Sequence, residues 1–180
     1  MKYFLIKTDP KFHNIPKIRD WFEKIDRRNI RMGESYKIEN RQLFFVENDP
    51  QIVFPDVLSF PFFMVTEVFR DVILAYEPNT IFKEIVLLEQ ESAKTCTYFM
   101  PILDYIDCLA SGSILTKDCS AIIDAVLDVE KTRGKSIFYI ASVGNLYTVA
   151  RLDIVESFLR RGALALGLTE VKTVYETTKS

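Results

Sequence analysis

The stretch "IFKEIVLLEQESAKTCTYFMPIL", residues 81–103, decides the fold class. It holds two β-rich runs, "IFKEIVLLEQ" and "TCTYFMPIL", separated by the polar "ESAK". Branched and aromatic residues on both sides of a short polar turn predict an antiparallel hairpin. In the first run Ile81, Ile85 and Leu87 line one face, and Phe82, Val86 and Leu88 line the other. A strand apolar on both faces is expected in the middle of a covered sheet.

Working outward, helical and strand signals mix along the chain. Before the hairpin, "FPDVLSFPFFMVTEVFRDVILAYEP" (54–78) reads as a short strand, Pro61, and another apolar run. Thr66 then caps a helix whose residues Val68, Phe69, Val72, Ile73 and Tyr76 fall at helical spacing. Pro78 stops it, because Glu77 before the proline is pushed away from helical angles. After the hairpin, "DYIDCLASGS" is irregular. "AIIDAVLDVE" fits a helix through Ile122, Ile123, Val126 and Leu127, but reads better as a strand alternating through Ile123, Ala125, Leu127 and Val129, with Val126 breaking the pattern. That places Asp124 and Asp128 on a solvated face. The turn "KTRGK" joins it to "SIFYIAS" in an expected second hairpin. "GN" at 144–145 marks a further turn before the strand "LYTVA". "RLDIVESFLRRG" closes the series as a helix with Asp153 at the N-cap and Glu156 three residues on, as in a capping box. Its last turn holds Arg160 and Arg161 against the negative end of the dipole, with Gly162 at C′.

The N-terminal part reads differently. "YFLI" is an opening strand, followed by the proline-containing loop "DPKFHNIPKIRDW". Pro16 starts an expected short helix running through Trp21 to about Arg27, with Ile18, Trp21, Phe22 and Ile25 as its stripe. "RNIRMGESYKIENRQ" is the most polar stretch and the expected mobile loop, and "LFFVEN" is a strand. The whole is an α+β chain, a mostly antiparallel sheet with a few packed helices. Residues 1–180 form one domain, with 1–42 a loop-rich lobe on a sheet-and-helix core at 43–180.

Composition narrows the function classes. Hydrophobic residues are 48% and charged residues 27%, values of a folded globular protein. The net charge of −2 and the lack of a polybasic run argue against nucleic acid as a partner. No apolar run reaches membrane-spanning length, and "MKYFLIKTDP" lacks the h-region and cleavage site of a signal peptide. Cys96, Cys108 and Cys119 are an odd count without C-x-x-C spacing, poor for disulfides and for zinc. The expectation is a reduced, cytoplasmic protein without membrane association.

Catalytic signatures are missing. His13 is the single histidine. It lies in a loop, so a Cys–His pair has one possible base and no local context. "RGALALG" lacks the G-x-G-x-x-G spacing, G-x-S-x-G is absent, and "SGS" at 111–113 has no elbow. The carboxylate pairs Asp104 with Asp107, Asp124 with Asp128, and Glu89 with Glu91 read as solvated surface. No cofactor motif and no EF-hand loop occur. Aromatics and arginines are the other candidates, because interfaces concentrate both. Trp21 stands in a short helix between loops, and Arg31 and Tyr36 stand in the polar loop. The Phe residues of 54–63 read first as core. Arg160 and Arg161 read first as a helix end, which still exposes them to a partner.

In their order, several segments resemble the immunity-protein family numbered eleven among polymorphic-toxin immunity proteins, earlier catalogued as a domain of unknown function. They are "FPDVLSFPFFMVTEVFRDVI" (54–73), "YEPNTIFKEIVLL" (76–88), "YFMPIL" (98–103) with "IDCL" (106–109), and "KSIFYIASVGNLYTVARLDIVESFLRRGALALGL" (135–168), with the opening "KYFLIKTDP". The similarity spans most of 43–170, and the loop 28–42 has no counterpart in it. It implies a bacterial, non-catalytic protein that blocks a cognate toxin by stoichiometric binding. The family supplies no catalytic residue, and partner specificity is expected in variable loops. Hence the expected interface is 28–42 and the surroundings of Trp21, then loops 90–95 and 111–118. The competing expectations are an enzyme using a carboxylate or Cys site, and a module that binds peptides along a sheet edge.

Overall fold

A computed structural model describes residues 1–175. The chain runs β1 (Tyr3–Thr8), β2 (Arg41–Phe45), β3 (Val57–Leu58), β4 (Met64–Val65), α1 (Glu67–Tyr76), β5 (Ile81–Glu89) and β6 (Lys94–Ile102). It continues through β7 (Tyr105–Ile106), β8 (Ile114–Leu115), β9 (Ile122–Asp124), β10 (Val126–Asp128), β11 (Ile137–Ile140), β12 (Thr148–Arg151), α2 (Leu152–Arg160) and β13 (Leu166–Val174). This is an α+β fold. Most strand pairs are antiparallel; β2–β5, β10–β13 and β7–β11 are parallel.

The predicted hairpin forms: β5 and β6 pair along their whole length, from Ile81 opposite Ile102 to Glu89 opposite Lys94. The Glu89 carboxylate closes it by accepting the Ser92 hydroxyl and the Ser92 and Glu91 N–H groups. The hairpin sits in a five-stranded sheet of order β2-β5-β6-β4-β3. Its coverage differs from the expectation. Lys83, Ile85, Leu87 and Glu89 are buried, whereas Phe82, Val86 and Leu88 are half-buried and Ile81 is exposed. On that outer face, Leu43 and Phe45 of β2 stand in register with Val86 and Leu88 and remain exposed. The apolar run therefore marks one buried face and one half-covered face.

The second sheet has six strands, β10-β13-β1-β12-β11-β7. The expected hairpin between "AIIDAVLDVE" and "SIFYIAS" does not form. β10 instead pairs parallel with β13, Val126 opposite Lys172, and β11 pairs with β12 and β7. The run itself divides at Ala125 into β9 and β10, the point at which Val126 broke the alternation. Asp128 is buried, against the solvated position expected of it; Asp124 forms an ion pair with Lys172 at 2.8 Å.

The two helices join the sheets. α1 packs on β4 and β6, α2 on β1 and β12, and the helices touch each other. Phe69 and Phe158, both fully buried, stack with centroids 4.5 Å apart. The Tyr76 hydroxyl meets Ser157 Oγ at 2.7 Å and donates to the Asp153 carbonyl. One apolar cluster thus draws on Ile85, Leu87 and Met100 of one sheet and Ile6, Ile137 and Ala150 of the other. A second cluster, with Tyr3, Phe138 and Leu127, covers the far face of the six-stranded sheet. Asp56, in the D-x-L segment, ties three parts together. Its carboxylate accepts the Thr66 hydroxyl at 2.9 Å and the Leu164 N–H at 2.8 Å.

Thr66 and Glu77 bound α1 where the sequence predicts, but the Thr66 side chain does not cap it: its hydroxyl is given to the Asp56 carboxylate. For α2 the C-terminus also agrees: Arg160 ends it, Arg161 caps it, and Gly162 takes the left-handed φ of 72°. The N-terminus differs. β12 runs directly into the helix with Arg151 at the cap position, so no loop is left for Asp153 to cap. Asp153 instead binds the Arg151 guanidinium through both oxygens, at 2.8 and 2.7 Å. That guanidinium holds the Asp153 carboxyl below the ordinary carboxylate range. A depressed folded pKa contributes stability above the unfolded value, which is lost as pH falls through the folded value. Acid unfolding followed by circular dichroism is therefore expected to show less loss of stability below about pH 4 for Asp153→Asn than for the native chain.

Candidate protein-binding surface

The expected helix from Pro16 to Arg27 is absent, and its absence builds the site. Ile18 forms an isolated bridge with Val46, and the Arg19 N–H donates to the Phe45 carbonyl at 2.9 Å. The segment is thereby spent as a covering strand along β2. Asp20 then takes a left-handed φ of 50° and turns the chain outward. Two separate 3-10 turns follow, Trp21–Glu23 and Arg27–Asn29, with a third at Ser35–Lys37. The stretch 28–42, expected as a mobile loop, is anchored: Ile30, Ser35 and Ile38 are buried, and it runs into β2 at Arg41.

These turns gather an arginine–aromatic surface. Trp21, half-buried, sits edge-on to Phe22, Phe60 and the buried Phe62 at 6.0, 6.2 and 6.3 Å. The Arg27 guanidinium lies over Trp21 at 5.1 Å and over Phe60 at 5.3 Å. Its Nε–H donates to the Pro61 carbonyl at 2.6 Å, which fixes the head between the rings. Arg31 lies over Tyr105 at 5.3 Å. Burial pushes the Arg27 pKa down and the Tyr105 pKa up to about 12, while Arg31 and Arg27 oppose the rise at Tyr105. Tyr105 thus gives its ring to Arg31 and also feels the charge of Arg27. Phe22 and Phe60 are each 66% exposed, and Met32, next to Arg31 in sequence, is exposed as well. A 180 Å³ cavity borders Arg31, Met32, Asp104 and Tyr105. A larger groove of 630 Å³ continues past Asp104 and Tyr105 to Lys135, which bridges Asp104 at 2.8 Å and Glu77 at 3.2 Å.

Of the residues singled out in the sequence, Trp21 and Arg31 belong to this surface. Tyr36 is 76% exposed on the third turn, with Lys37 5.7 Å from its ring centre, and among the described residues no ring contact joins it to Trp21 or Arg31. Arg160 and Arg161 lie at the end of α2. Arg160 reaches Glu156 at 3.4 Å, and Arg161 donates to the Ser157 carbonyl at 2.9 Å, so both serve the helix end. Sequence reasoning missed Arg27 and Tyr105, and its first reading of the Phe residues of 54–63 as core does not hold for the exposed Phe60. Phe60 was readable: it is flanked by Ser59 and Pro61, away from the apolar run that buries Phe62 and Phe63.

The competing chemistry has specific local environments. His13 is exposed in the loop after β1, and among the described residues no hydrogen bond joins it to a cysteine. Burial pushes the Cys96 thiol up, and the Cys108 thiol up to about 12. Cys119 is the exposed cysteine. A disulfide-exchange reagent at mildly alkaline pH is expected to titrate one fast thiol in the native chain and three after unfolding. Loss of the fast phase in Cys119→Ser identifies it. Among the described residues, no group of three or more His, Cys, Asp or Glu is placed to hold a metal, and no helix is long and apolar enough to cross a membrane. Two sheet edges have part of their outward backbone groups taken up locally. On β2, the Leu43 carbonyl accepts Lys24 Nζ and the Phe45 carbonyl accepts Arg19 N–H. On β10, Val126 and Asp128 bond with Ala110 and Cys108.

Compared with known proteins, the chain matches no family model and no curated protein.

Proposed function

We propose that this chain is a non-catalytic binding protein that neutralises a cognate bacterial toxin in the cytoplasm. The face that meets the toxin is the one built by Trp21, Phe22, Arg27, Arg31, Phe60 and Tyr105. The observation that carries the reading is the Arg27 head held between Trp21 and an outward Phe60. A guanidinium stacked on rings and bonded to a carbonyl is preorganised, so little side-chain freedom is lost when a partner covers it. Trp, Tyr and Arg are the residue types that dominate measured interface energies. Cation–ring contacts gain strength as water leaves them, from about 0.5–1 kcal/mol exposed to about 2 kcal/mol desolvated. The toxin as partner is supported by the resemblance of 54–73, 76–88 and 135–168 to immunity family eleven. The lack of a counterpart to 28–42 in that family fits a segment that sets specificity.

The test is co-expression with the toxin-like products of neighbouring genes. Rescue of growth, together with a stable complex on size-exclusion chromatography and no turnover of the toxin's substrate by the chain alone, is the expected result. Failure against every neighbouring candidate overturns the toxin reading.

A further inference from the structure

We infer that the partner meets this surface with an acidic segment, its carboxylates placed on Arg27 and Arg31 and an apolar side chain seated between Phe22 and Phe60. This rests on the reading of the surface as a binding face. Charge carries it. Between residues 17 and 37 the chain places seven Lys and Arg against four Asp and Glu, in a molecule of net charge −2. Outside the segment eight basic groups pair with a carboxylate, whereas no carboxylate lies within 4 Å of the Arg27 or Arg31 head among the described residues. The acids of the segment are separately accounted for. Asp26 is held by Arg28 through both oxygens, and Glu34 by Lys37. Asp20 and Glu23 line a different cavity with Arg19 and Lys24. Asp104, beside Arg31, is engaged by Lys135.

The surface therefore offers two arginines with free donors, each backed by a ring, next to exposed apolar groups. Guanidinium forks match carboxylates bidentately, and a covered arginine without a counter-charge costs binding energy. An acidic protein segment supplies both the carboxylates and the apolar contact. Single-stranded nucleic acid also combines anions with stacking faces, but the segment lacks a continuous basic groove, and the molecule as a whole is anionic.

The experiment uses the full chain and three fluorescent probes: a short peptide of alternating Glu and Phe or Leu, the same peptide with Lys for Glu, and oligo-dT. Anisotropy is read for the native chain, Arg31→Glu, Arg31→Lys, and Lys7→Glu as a charge-matched control exposed on β1. Among the described residues the Arg31 side chain holds no hydrogen bond or ion pair and lies over the Tyr105 ring, so melting curves are expected to match the native chain. The acidic peptide is expected to bind tightest and to weaken with salt. Arg31→Glu is expected to lower its affinity by roughly tenfold or more, with Arg31→Lys falling between and Lys7→Glu unchanged. Equal binding of the Lys peptide, tighter binding of oligo-dT, no measurable binding of the acidic peptide, or an equal loss in Lys7→Glu overturns the inference. A toxin complex that Arg31→Glu leaves intact sinks this inference and spares the toxin reading. An acidic peptide that binds as expected, with no neighbouring toxin captured, does the reverse.

Discussion

Phe158→Ala is expected to lower the free energy of unfolding by about 3–5 kcal/mol. Phe158 is fully buried on α2, and its ring stacks on Phe69 of α1 at 4.5 Å. The substitution removes a large apolar side chain and leaves a cavity at the one place where the two helices bind the two sheets together. Collapse around that cavity is limited, because Ile154 and Val155 of the same helix are already packed on the sheets. The ring pair adds about 0.5–1.5 kcal/mol beyond its buried area. Leu159, the next residue, is exposed, and Leu159→Ala is expected to stay within about 0.5 kcal/mol of the native chain. Urea unfolding of the two variants provides the comparison. A loss below about 1 kcal/mol for Phe158→Ala would show that the helix pair is not the joint between the sheets.

Phe60→Ala is expected to weaken the toxin complex by about 30-fold or more, the scale of an interface hot spot of at least about 2 kcal/mol. Its folding stability is expected to remain near that of the native chain. The separation follows from position. Phe60 is mostly exposed, so its removal leaves little cavity, while its ring is one of the two that hold the Arg27 head. Trp21→Ala is less informative, because Trp21 also packs edge-on to the buried Phe62 and its loss disturbs the core. Calorimetry with a thermal melt on Phe60→Ala reads both quantities. Unchanged affinity would move the interface away from this face.

The hairpin 81–102 and helices α1 and α2 were legible because their signals are local. Polar "ESAK" between apolar runs, Pro78 after Tyr76, and Gly162 after Arg161 each act on neighbouring residues. What failed were pairings decided at long range. Whether Val126 pairs with Ile137 or with Lys172 depends on β13, a nine-residue strand in a tail whose sequence "LGLTEVKTV" carries four polar residues and no strong alternation. The false helix at 16–27 has the same origin. Ile18, Trp21, Phe22 and Ile25 do fall at helical spacing, but β2 offers Ile18 and Arg19 a strand partner, and local propensity yields to it. Of the site, Trp21 and Arg31 could be singled out by residue type. Tyr105 and Arg27 could not, because their role arises from the approach of 27–31 to a strand some 75 residues away, as the separation of Arg31 from Tyr105 in the chain shows.

Amide hydrogen exchange of the full chain, free and bound to its toxin, tests the central claim most directly: that this molecule acts by covering its partner with the 21–31 turns. The account predicts new protection across 21–32, 60–63 and 104–106, with the end of α2 unchanged. Protection confined to 156–162, or to the groove at 128–135 with 21–32 exchanging as in the free chain, would contradict it.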